Sequence, residues 1–195
     1  MDNFQQFIVT SKYCRWIEEE GRRETWKECV DRYFAYMENR VYCFDDETST
    51  MFYEAKQKVY NLEIFPSMRG LMTAGPAADV DDTCLYNCSY VAVNRVRAFS
   101  DIMYILCCGT GVGFSCESEE IKQLPTVPDT ITRKESIVID VPDSRVGWAD
   151  SFKELLNCLY DGVHPTWDTS KVRPSGARLK TFGGRASGPE PLERL

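Results

Sequence analysis

Cysteine thiols are the side chains of this sequence best suited to redox chemistry, and they can also bind metals. Its 195 residues include nine cysteines, at positions 14, 29, 43, 84, 88, 107, 108, 116 and 158. The first residues, MDNFQQFIVTSKYCRW, show no basic region followed by an apolar one. We therefore expect a reducing compartment, where thiols stay free, bind a metal or act in catalysis. Most buried cysteines simply pack in a core.

Zinc binding and imidazole catalysis are both disfavoured by the spacing. Cys84 and Cys88 are separated by three residues, unlike the usual C-x-x-C zinc pair, and no histidine lies near them or near Cys107 and Cys108. The single histidine, His164, lies in Gly-Val-His-Pro-Thr, which predicts a surface loop rather than a catalytic base. We expect no metal site formed by this chain's own side chains.

Two glycine-rich segments are candidates for contact with phosphate. The segment 109–113, Gly-Thr-Gly-Val-Gly, matches neither the phosphate-loop nor the dinucleotide pattern, so a tight turn is the simpler interpretation. Residues 171–195 carry six basic and two acidic side chains, a net charge of +4, so the first 170 residues carry −11 of the total −7. Glycines and arginines suit anionic oxygens, but a flexible solvated tail explains the composition equally well.

Helices are expected to fill the first third of the chain. Thr25 and Glu28 have the spacing of a capping box, and apolar residues follow at helical spacing as far as Val41. Gly21 suits the end of an earlier helix over Tyr13, Trp16 and Ile17. A further helix is predicted from about residue 50 to 62, and residues 73–82 predict a loop.

The middle of the chain predicts two α/β elements. A strand over 86–93, a helix over about 95–108 and a strand starting at 111 form a βαβ unit, which indicates a parallel sheet or barrel. A strand over 136–141 precedes a helix that Asp143 or Ser144 can cap and Gly162 can end. This second group predicts a small α+β element within 117–172.

Composition restricts the class of protein. With 43% hydrophobic and 27% charged residues the chain is ordinary and globular. Its acidic character, with a pI near 4.9, argues against nucleic-acid or anionic-membrane partners. The longest apolar stretch, IMYILCC, is too short to span a bilayer. We expect a cytoplasmic protein, or one in the host cytoplasm if it is encoded by a virus.

Four motifs occur in an order that resembles adenosylcobalamin-dependent (class II) ribonucleotide reductases. They are FPSMRGLMTAG at 65–75, YNCSYVA at 86–92, GTGVGFS at 109–115 and RPSGARLKTFGGRASGP at 173–189. The similarity extends to KYCRWIEEEGRR at 12–23 and VPDSRVGW at 141–148. The stretch between the third and fourth motifs resembles the insert of the monomeric ribonucleoside-triphosphate reductases.

The resemblance implies an α/β fold in four parts. Residues 1–75 are expected to form a helical region, 76–116 the first βαβ part of a ten-stranded α/β barrel, and 173–195 a further barrel segment with the phosphate-suited motif. Residues 117–172 resemble the insert that, in this family, binds a deoxynucleoside triphosphate effector and takes over the role of a dimer interface.

The resemblance also implies a reaction and its residues. In the family, homolysis of the cobalt–carbon bond yields a thiyl radical that abstracts the 3′ hydrogen of a ribonucleotide, and two thiols then supply two electrons as the 2′-hydroxyl leaves as water. Cys88 matches the first cysteine of that redox pair. Other positions match the substrate site or suit an effector phosphate: Ser67, Asn87, Gly111 and Gly113 for substrate, and Arg173, Arg178, Lys180 and Arg185 for phosphate.

Part of the family's machinery has no counterpart among these 195 residues. The radical cysteine, the second redox cysteine and the C-terminal shuttle thiols are expected further along. The resemblance therefore implies a complementary C-terminal reductase chain, a thioredoxin-like reductant and ribonucleoside triphosphate substrates. The alternative is a non-catalytic, nucleotide-binding regulatory module derived from the same family. Cys107, Cys108 and Thr110 depart from the family pattern, and the two cysteines are expected to serve packing.

Overall fold

The chain forms two units in the computed structural model, which describes residues 1–179, 181 and 183–195. The first unit comprises Met1–Leu85 with a short piece of the C-terminal region, and the second comprises Tyr86–Leu179 and Gly184–Leu195. Lys180, one of the predicted phosphate ligands, lies outside the described residues. No helix of the described part is both long and apolar enough to cross a membrane.

The first unit is mainly helical, as the spacing predicts. Thr25 Oγ1 accepts from Glu28 N at 3.3 Å and Glu28 Oε2 accepts from Thr25 N at 2.7 Å, which confirms the capping box. The unit's elements are α1 (Asn3–Lys12), β1 (Trp16–Ile17), β2 (Arg22–Arg23), α2 (Trp26–Glu38), α3 (Asp46–Tyr60), α4 (Met68–Thr73), α5 (Pro76–Val80) and a 3-10 turn (Asp82–Leu85).

The predicted helix over Tyr13, Trp16 and Ile17 is wrong. α1 ends at Lys12, and Trp16 pairs with Arg23 in an antiparallel hairpin, β1–β2. Gly21, expected at a helix end, instead has φ +63° in the hairpin turn. Glu24 extends the pairing because its N–H donates to Arg15 O at 2.7 Å and its carboxylate accepts from Arg15 N at 2.8 Å. A side-chain contact of this kind leaves no trace in hydrophobic spacing.

The loop predicted for residues 73–82 is also wrong. Thr73 ends α4, and Pro76 begins α5 at the first helical position, where its missing N–H costs nothing. Gly75 allows this abrupt change of direction because its φ is +82°. Small residues, interpreted as a mark of a loop, here let α5 pack closely, since Ala77 and Ala78 are buried.

A buried ion pair joins three segments of the first unit. Arg32, on α2, holds the Glu24 carboxylate with two contacts, Nε–Oε1 at 2.7 Å and Nη2–Oε2 at 2.9 Å. The same guanidinium donates to the carbonyls of Leu71 at 2.9 Å and Ala74 at 2.7 Å. The side chains of Arg32 and Glu24 are only 14% and 9% exposed. Water cannot easily replace these bonds, so they fix the hairpin and α4 against α2.

The second unit contains two βαβ arrangements. Its elements are β3 (Cys88–Ala92), α6 (Arg97–Cys107), β4 (Gly111–Ser115), α7 (Ser118–Ile121), β5 (Thr132–Asp140), α8 (Arg145–Tyr160), β6 (Val163–Asp168) and α9 (Glu190–Glu193). β3 and β4 pair in parallel with α6 as the crossover, and β5 and β6 pair in parallel with α8 as the crossover. The first pairing confirms the βαβ unit predicted from the sequence. Ser144 caps α8 by accepting from Gly147 N at 2.9 Å.

His164 is not in a loop, contrary to prediction. It lies in β6 opposite Arg133 of β5, with Nδ1 2.9 Å from Pro165 O and its ring 6.0 Å from that of Trp167. The Gly-Val-His-Pro-Thr sequence suggested a turn because proline cannot donate to a ladder. Within the described residues β6 pairs on one side only, and an edge strand of this kind tolerates proline.

Replacement of Arg32 by methionine tests the buried pair. Arg32→Met should lower the free energy of unfolding by about 3–5 kcal/mol, because it leaves the Glu24 carboxylate buried without its partner. Urea unfolding followed by circular dichroism measures the change. The matched control is Lys27→Met on the exposed face of α2, where the Lys27–Asp31 pair is accessible to water. Equal losses of stability in the two variants would contradict the assignment.

Candidate functional site

One face of the β3–β4 pair carries an exposed thiol among glycines. Cys88 lies opposite Gly111, and Tyr90 lies opposite Gly113. Because alternate residues of a strand share a face, these four residues point to the same side of the sheet. Cys88 is exposed, and Tyr90 is 66% exposed. α6 packs against the same two strands. The arrangement leaves a strip without side chains beside the Cys88 thiol.

Backbone conformation does not explain these two glycines. Neither Gly111 nor Gly113 has a positive φ. A Cβ at Gly111 would lie 3.5 Å from Asn87 O, and one at Gly113 would lie 3.7 Å from Ser89 O, both ordinary contacts. The fold would therefore accept alanine at either position. What alanine would change is the open space on the Cys88 face, so the glycines fit a site that a ligand must approach closely.

Three hydrogen bonds hold the register of this face. Gly111 N donates to Asn87 O at 2.9 Å, and Ser89 Oγ donates to Gly111 O at 3.2 Å. Thr110 Oγ1 donates to Tyr86 O at 2.9 Å, and Thr110 is only 1% exposed. Thr110 was noted in the sequence merely as a departure from the family pattern. Its hydroxyl fixes the entry into β4, a role that only the paired strands reveal.

Ser67 lies in the first unit, whereas the other predicted substrate residues lie in the second. Its Oγ accepts from Gly70 N at 3.3 Å and so caps α4. Gly70 itself is tightly packed, since a Cβ there would come within 2.7 Å of the Tyr33 ring. The local role of Ser67 is therefore to start α4, and its contact with substrate stays a prediction.

Within the described residues, the arginine-rich segment forms backbone hydrogen bonds with itself. Gly176 N donates to Ala186 O at 2.9 Å, and Ala186 N donates to Ala177 O at 2.7 Å. Arg178 and Arg185 form an antiparallel bridge, and both are exposed. The loop bends through residues with positive φ, at Gly176, Gly183, Gly184 and Gly188.

The predicted phosphate ligands differ in what they already bind. Arg173 Nε lies 3.0 and 2.7 Å from the two oxygens of Asp143, so its guanidinium is committed to a carboxylate. Arg185 Nη1 donates to Gly176 O at 3.0 Å, and its side chain is otherwise at the surface. Arg185 is therefore better placed for an anion than Arg173.

Most of the other cysteines serve packing, as expected. Cys29 and Cys84 are fully buried, and a hydrogen bond from Cys29 lowers the pKa of the Cys14 thiol while raising its own. Burial raises the pKa of Cys107. Cys108 is also buried, with Sγ 3.0 Å from Arg145 Nη1. Exposed thiols other than Cys88 occur at Cys43 and Cys116.

Comparison with known proteins gives two matched regions. Residues 1–76 match the model of the ribonucleotide reductase alpha domain, and residues 119–195 match that of the B12-dependent ribonucleotide reductase insertion domain. The chain is therefore similar to ribonucleotide reductases in both regions, and to the B12-dependent class in the second. It also resembles the crystal structure of a B12-dependent (class II) ribonucleotide reductase, with 26% identity and a TM-score of 0.81, over 95% of this chain and 35% of that one.

Curated relatives carry the same name across distant organisms. The adenosylcobalamin-dependent ribonucleoside-triphosphate reductase of Euglena gracilis is 29% identical over 91% of this chain and 27% of its own. The Lactobacillus leichmannii enzyme is 27% identical over 92% and 33%, and a probable Dictyostelium discoideum enzyme is 27% identical over 97% and 29%. The chain thus spans about a third of the length of these relatives.

Among the described residues, no group of three or more His, Cys, Asp or Glu side chains is arranged to hold a metal ion. His164, the single imidazole, lies on β6 beside Trp167 rather than on the Cys88 face.

Replacement of Gly111 by alanine tests the open face. Gly111→Ala should leave the urea unfolding midpoint almost unchanged, since the added methyl makes only an ordinary contact. It should slow alkylation of Cys88 by a bulky maleimide several-fold, measured by peptide mass spectrometry. Val112→Ala, on the opposite face of β4, is the control and should leave the Cys88 rate as it is. Identical Cys88 rates in all three proteins would rule out the glycine strip.

Proposed function

We propose that this chain is the N-terminal part of an enzyme that reduces ribonucleoside triphosphates to deoxyribonucleotides with adenosylcobalamin. The observation that carries the proposal is the exposed Cys88 thiol opposite Gly111, within motifs that resemble the family's substrate site. The insertion-domain match supports the same reaction, as do the names of the relatives, which are ribonucleoside-triphosphate reductases. We place this reductase in the cytoplasm, or in a host's cytoplasm if a virus encodes it.

Cys88 would act as one half of a two-electron donor. Loss of the ribose 2′-hydroxyl as water requires two electrons at the 2′ carbon and protons for the new C–H bond and the leaving water. Two thiols supply both electrons and two protons when they close to a disulfide. A thioredoxin-like dithiol then restores the two thiols by disulfide exchange. In this scheme Cys88 is the thiol next to the bound ribose.

The second thiol must come from a different strand. Disulfide formation needs Cα atoms roughly 4.4–6.8 Å apart. Cys116 lies five residues beyond Gly111, the partner of Cys88, which corresponds to roughly 16 Å along an extended strand. Cys84 is fully buried. Neither suits Cys88. The resemblance to the family implies that the partner thiol and the radical cysteine belong to a complementary C-terminal reductase chain.

The other predicted substrate residues would bind and orient the substrate. The open strip at Gly111 and Gly113 would admit a ribose close to the backbone. Asn87 lies immediately before Cys88, at the start of β3. Ser67, which caps α4, would contribute a hydroxyl to the phosphate. No lysine is required, because hydroxyl, amide and backbone N–H groups suit phosphate oxygens.

A reconstitution assay with two cysteine variants tests the redox role. The chain, the complementary chain, adenosylcobalamin, a dithiol and ribonucleoside triphosphates should together yield deoxynucleotides, measured by chromatography. Cys88→Ser should abolish sustained turnover because a single remaining thiol cannot deliver two electrons repeatedly. Cys116→Ser, which alters an equally exposed thiol beyond β4, should keep it.

Two results would contradict the proposal. Sustained turnover by Cys88→Ser would remove Cys88 from the redox pair. Absence of any product from a well-folded wild-type mixture would reject the reductase activity itself and favour the regulatory alternative.

That alternative, a nucleotide-binding regulatory module, draws on one observation. The insertion-domain match spans residues 119–195, which include the exposed side chains of Arg178 and Arg185. We propose that this region binds a deoxynucleoside triphosphate effector in either case. Binding without turnover would be the behaviour of a module, and binding with turnover that of an allosteric enzyme.

Equilibrium dialysis of the chain against deoxynucleoside triphosphates measures effector binding directly. Arg185→Met should weaken binding, because it removes a surface guanidinium from the glycine-rich loop. Arg194→Met removes the same charge just after α9, where Arg194 pairs with Glu190, and should leave the affinity unchanged. Equal weakening by both variants would indicate a general charge effect and would reject Arg185 as a ligand.

A further inference from the structure

An arginine of the insertion-domain region contacts a buried thiol at the end of α6. Arg145 Nη1 lies 3.0 Å from Cys108 Sγ, and Cys108 is fully buried. Arg145 begins α8 and lies within the residues that match the insertion-domain model, whereas Cys108 lies outside both matched ranges. The contact therefore joins the insertion region to the βαβ unit that carries the site.

Cys108 leads directly into the strand opposite Cys88. It caps α6, and Gly109, with φ +81°, turns the chain while its N–H donates to Leu106 O at 2.8 Å. The Thr110 hydroxyl then donates to Tyr86 O, and the Gly111 N–H donates to Asn87 O; both acceptors lie just before β3. Only two residues separate the thiol that Arg145 contacts from the glycine opposite Cys88.

The N-terminus of α8, where Arg145 lies, is held by several contacts. Ser144 Oγ caps α8, and Asp143 is held by Arg173 from the following segment. Gly147 packs so closely on Pro142 that a Cβ there would come within 2.6 Å of Pro142 Cβ and 2.9 Å of Pro142 O. Rigid packing of this kind transmits displacement instead of absorbing it. A movement of the α8 N-terminus would therefore carry the Arg145 guanidinium with it.

We propose that Arg145 is a positioning residue that, through Cys108, holds the Cys108–Gly111 turn and so keeps Gly111 opposite the Cys88 thiol. The inference rests on the proposed function only in taking Cys88 as the redox cysteine. Its consequence is regulatory. A change in the insertion region reaches the substrate face by moving one guanidinium, without direct contact between effector and substrate.

The test measures the reactivity of Cys88 in this chain alone. Arg145→Met should change the rate of Cys88 alkylation by iodoacetamide by roughly threefold to tenfold, a range typical of coupled neighbouring positions. Lys153→Met removes the same charge two turns further along α8 and should leave the rate at the wild-type value. Peptide mass spectrometry resolves Cys88 from the other eight cysteines, and circular dichroism checks the fold.

A double-mutant cycle shows whether the effect passes through the contact. Cys108→Ala should change the Cys88 rate as Arg145→Met does, and the double variant should add nothing further. Cys108→Ser keeps an acceptor for the guanidinium and should restore a rate close to the wild type. If Arg145→Met does not fold, the contrast between Cys108→Ala and Cys108→Ser decides alone.

Several outcomes would overturn the proposal. These are a wild-type Cys88 rate in a folded Arg145→Met variant, additive effects in the cycle, or equal rates for Cys108→Ser and Cys108→Ala. No substrate or turnover enters the measurement, so failure of the reductase assay leaves this test intact. Conversely, if the reductase assay succeeds but Arg145→Met leaves the Cys88 alkylation rate unchanged, only the positioning role is rejected.

Discussion

The parallel register of β3 and β4 is the constraint on which the candidate site depends. Cys88 lies opposite Gly111, and the side chains of a strand alternate between its two faces. A slip of one residue in β4 would put Val112 or Phe114 on the Cys88 side in place of the two glycines. The Gly111 N–H and the buried Thr110 hydroxyl set this register by bonding to the backbone just before β3. Backbone pairing therefore places Cys88 on this face, and the two glycines leave the space beside its thiol open.

The two units solve different physical problems. The first buries charge, because Arg32 and Glu24 sit among α2, the hairpin and α4 with nearly every polar atom of the pair satisfied. The second keeps a reactive side chain accessible on an otherwise packed βαβ unit. An exposed thiol alone is a weak indication of function, since Cys43 and Cys116 are exposed as well. What distinguishes Cys88 is the absence of side chains opposite it.

Sequence spacing predicted the elements that depend on residues close together in the chain. The capping box at Thr25, the amphipathic α2 and the crossover through α6 all follow from spacing within a few residues, and the structure has them. Spacing missed three elements that contacts with other segments determine. The β1–β2 hairpin depends on the Arg32–Glu24 pair, and α5 depends on the close packing of Ala77. The strand that contains His164, β6, depends on its pairing with β5. Cys88 and Gly111 were found through motifs. Thr110 and the Arg145–Cys108 contact join residues 24 and 37 positions apart, which no local pattern encodes.

A parallel pair of strands with one bare face also bears on how the proposed enzyme is assembled. Parallel sheets occur almost only where both faces are covered, and two strands alone are marginal in water. α6 packs against β3 and β4, but within the described residues Cys88, Tyr90 and the two glycines remain open to solvent. For the proposed function this face matters more than the thiol alone, because any group that covers it would lie directly beside Cys88 and the two glycines and would exclude water from them.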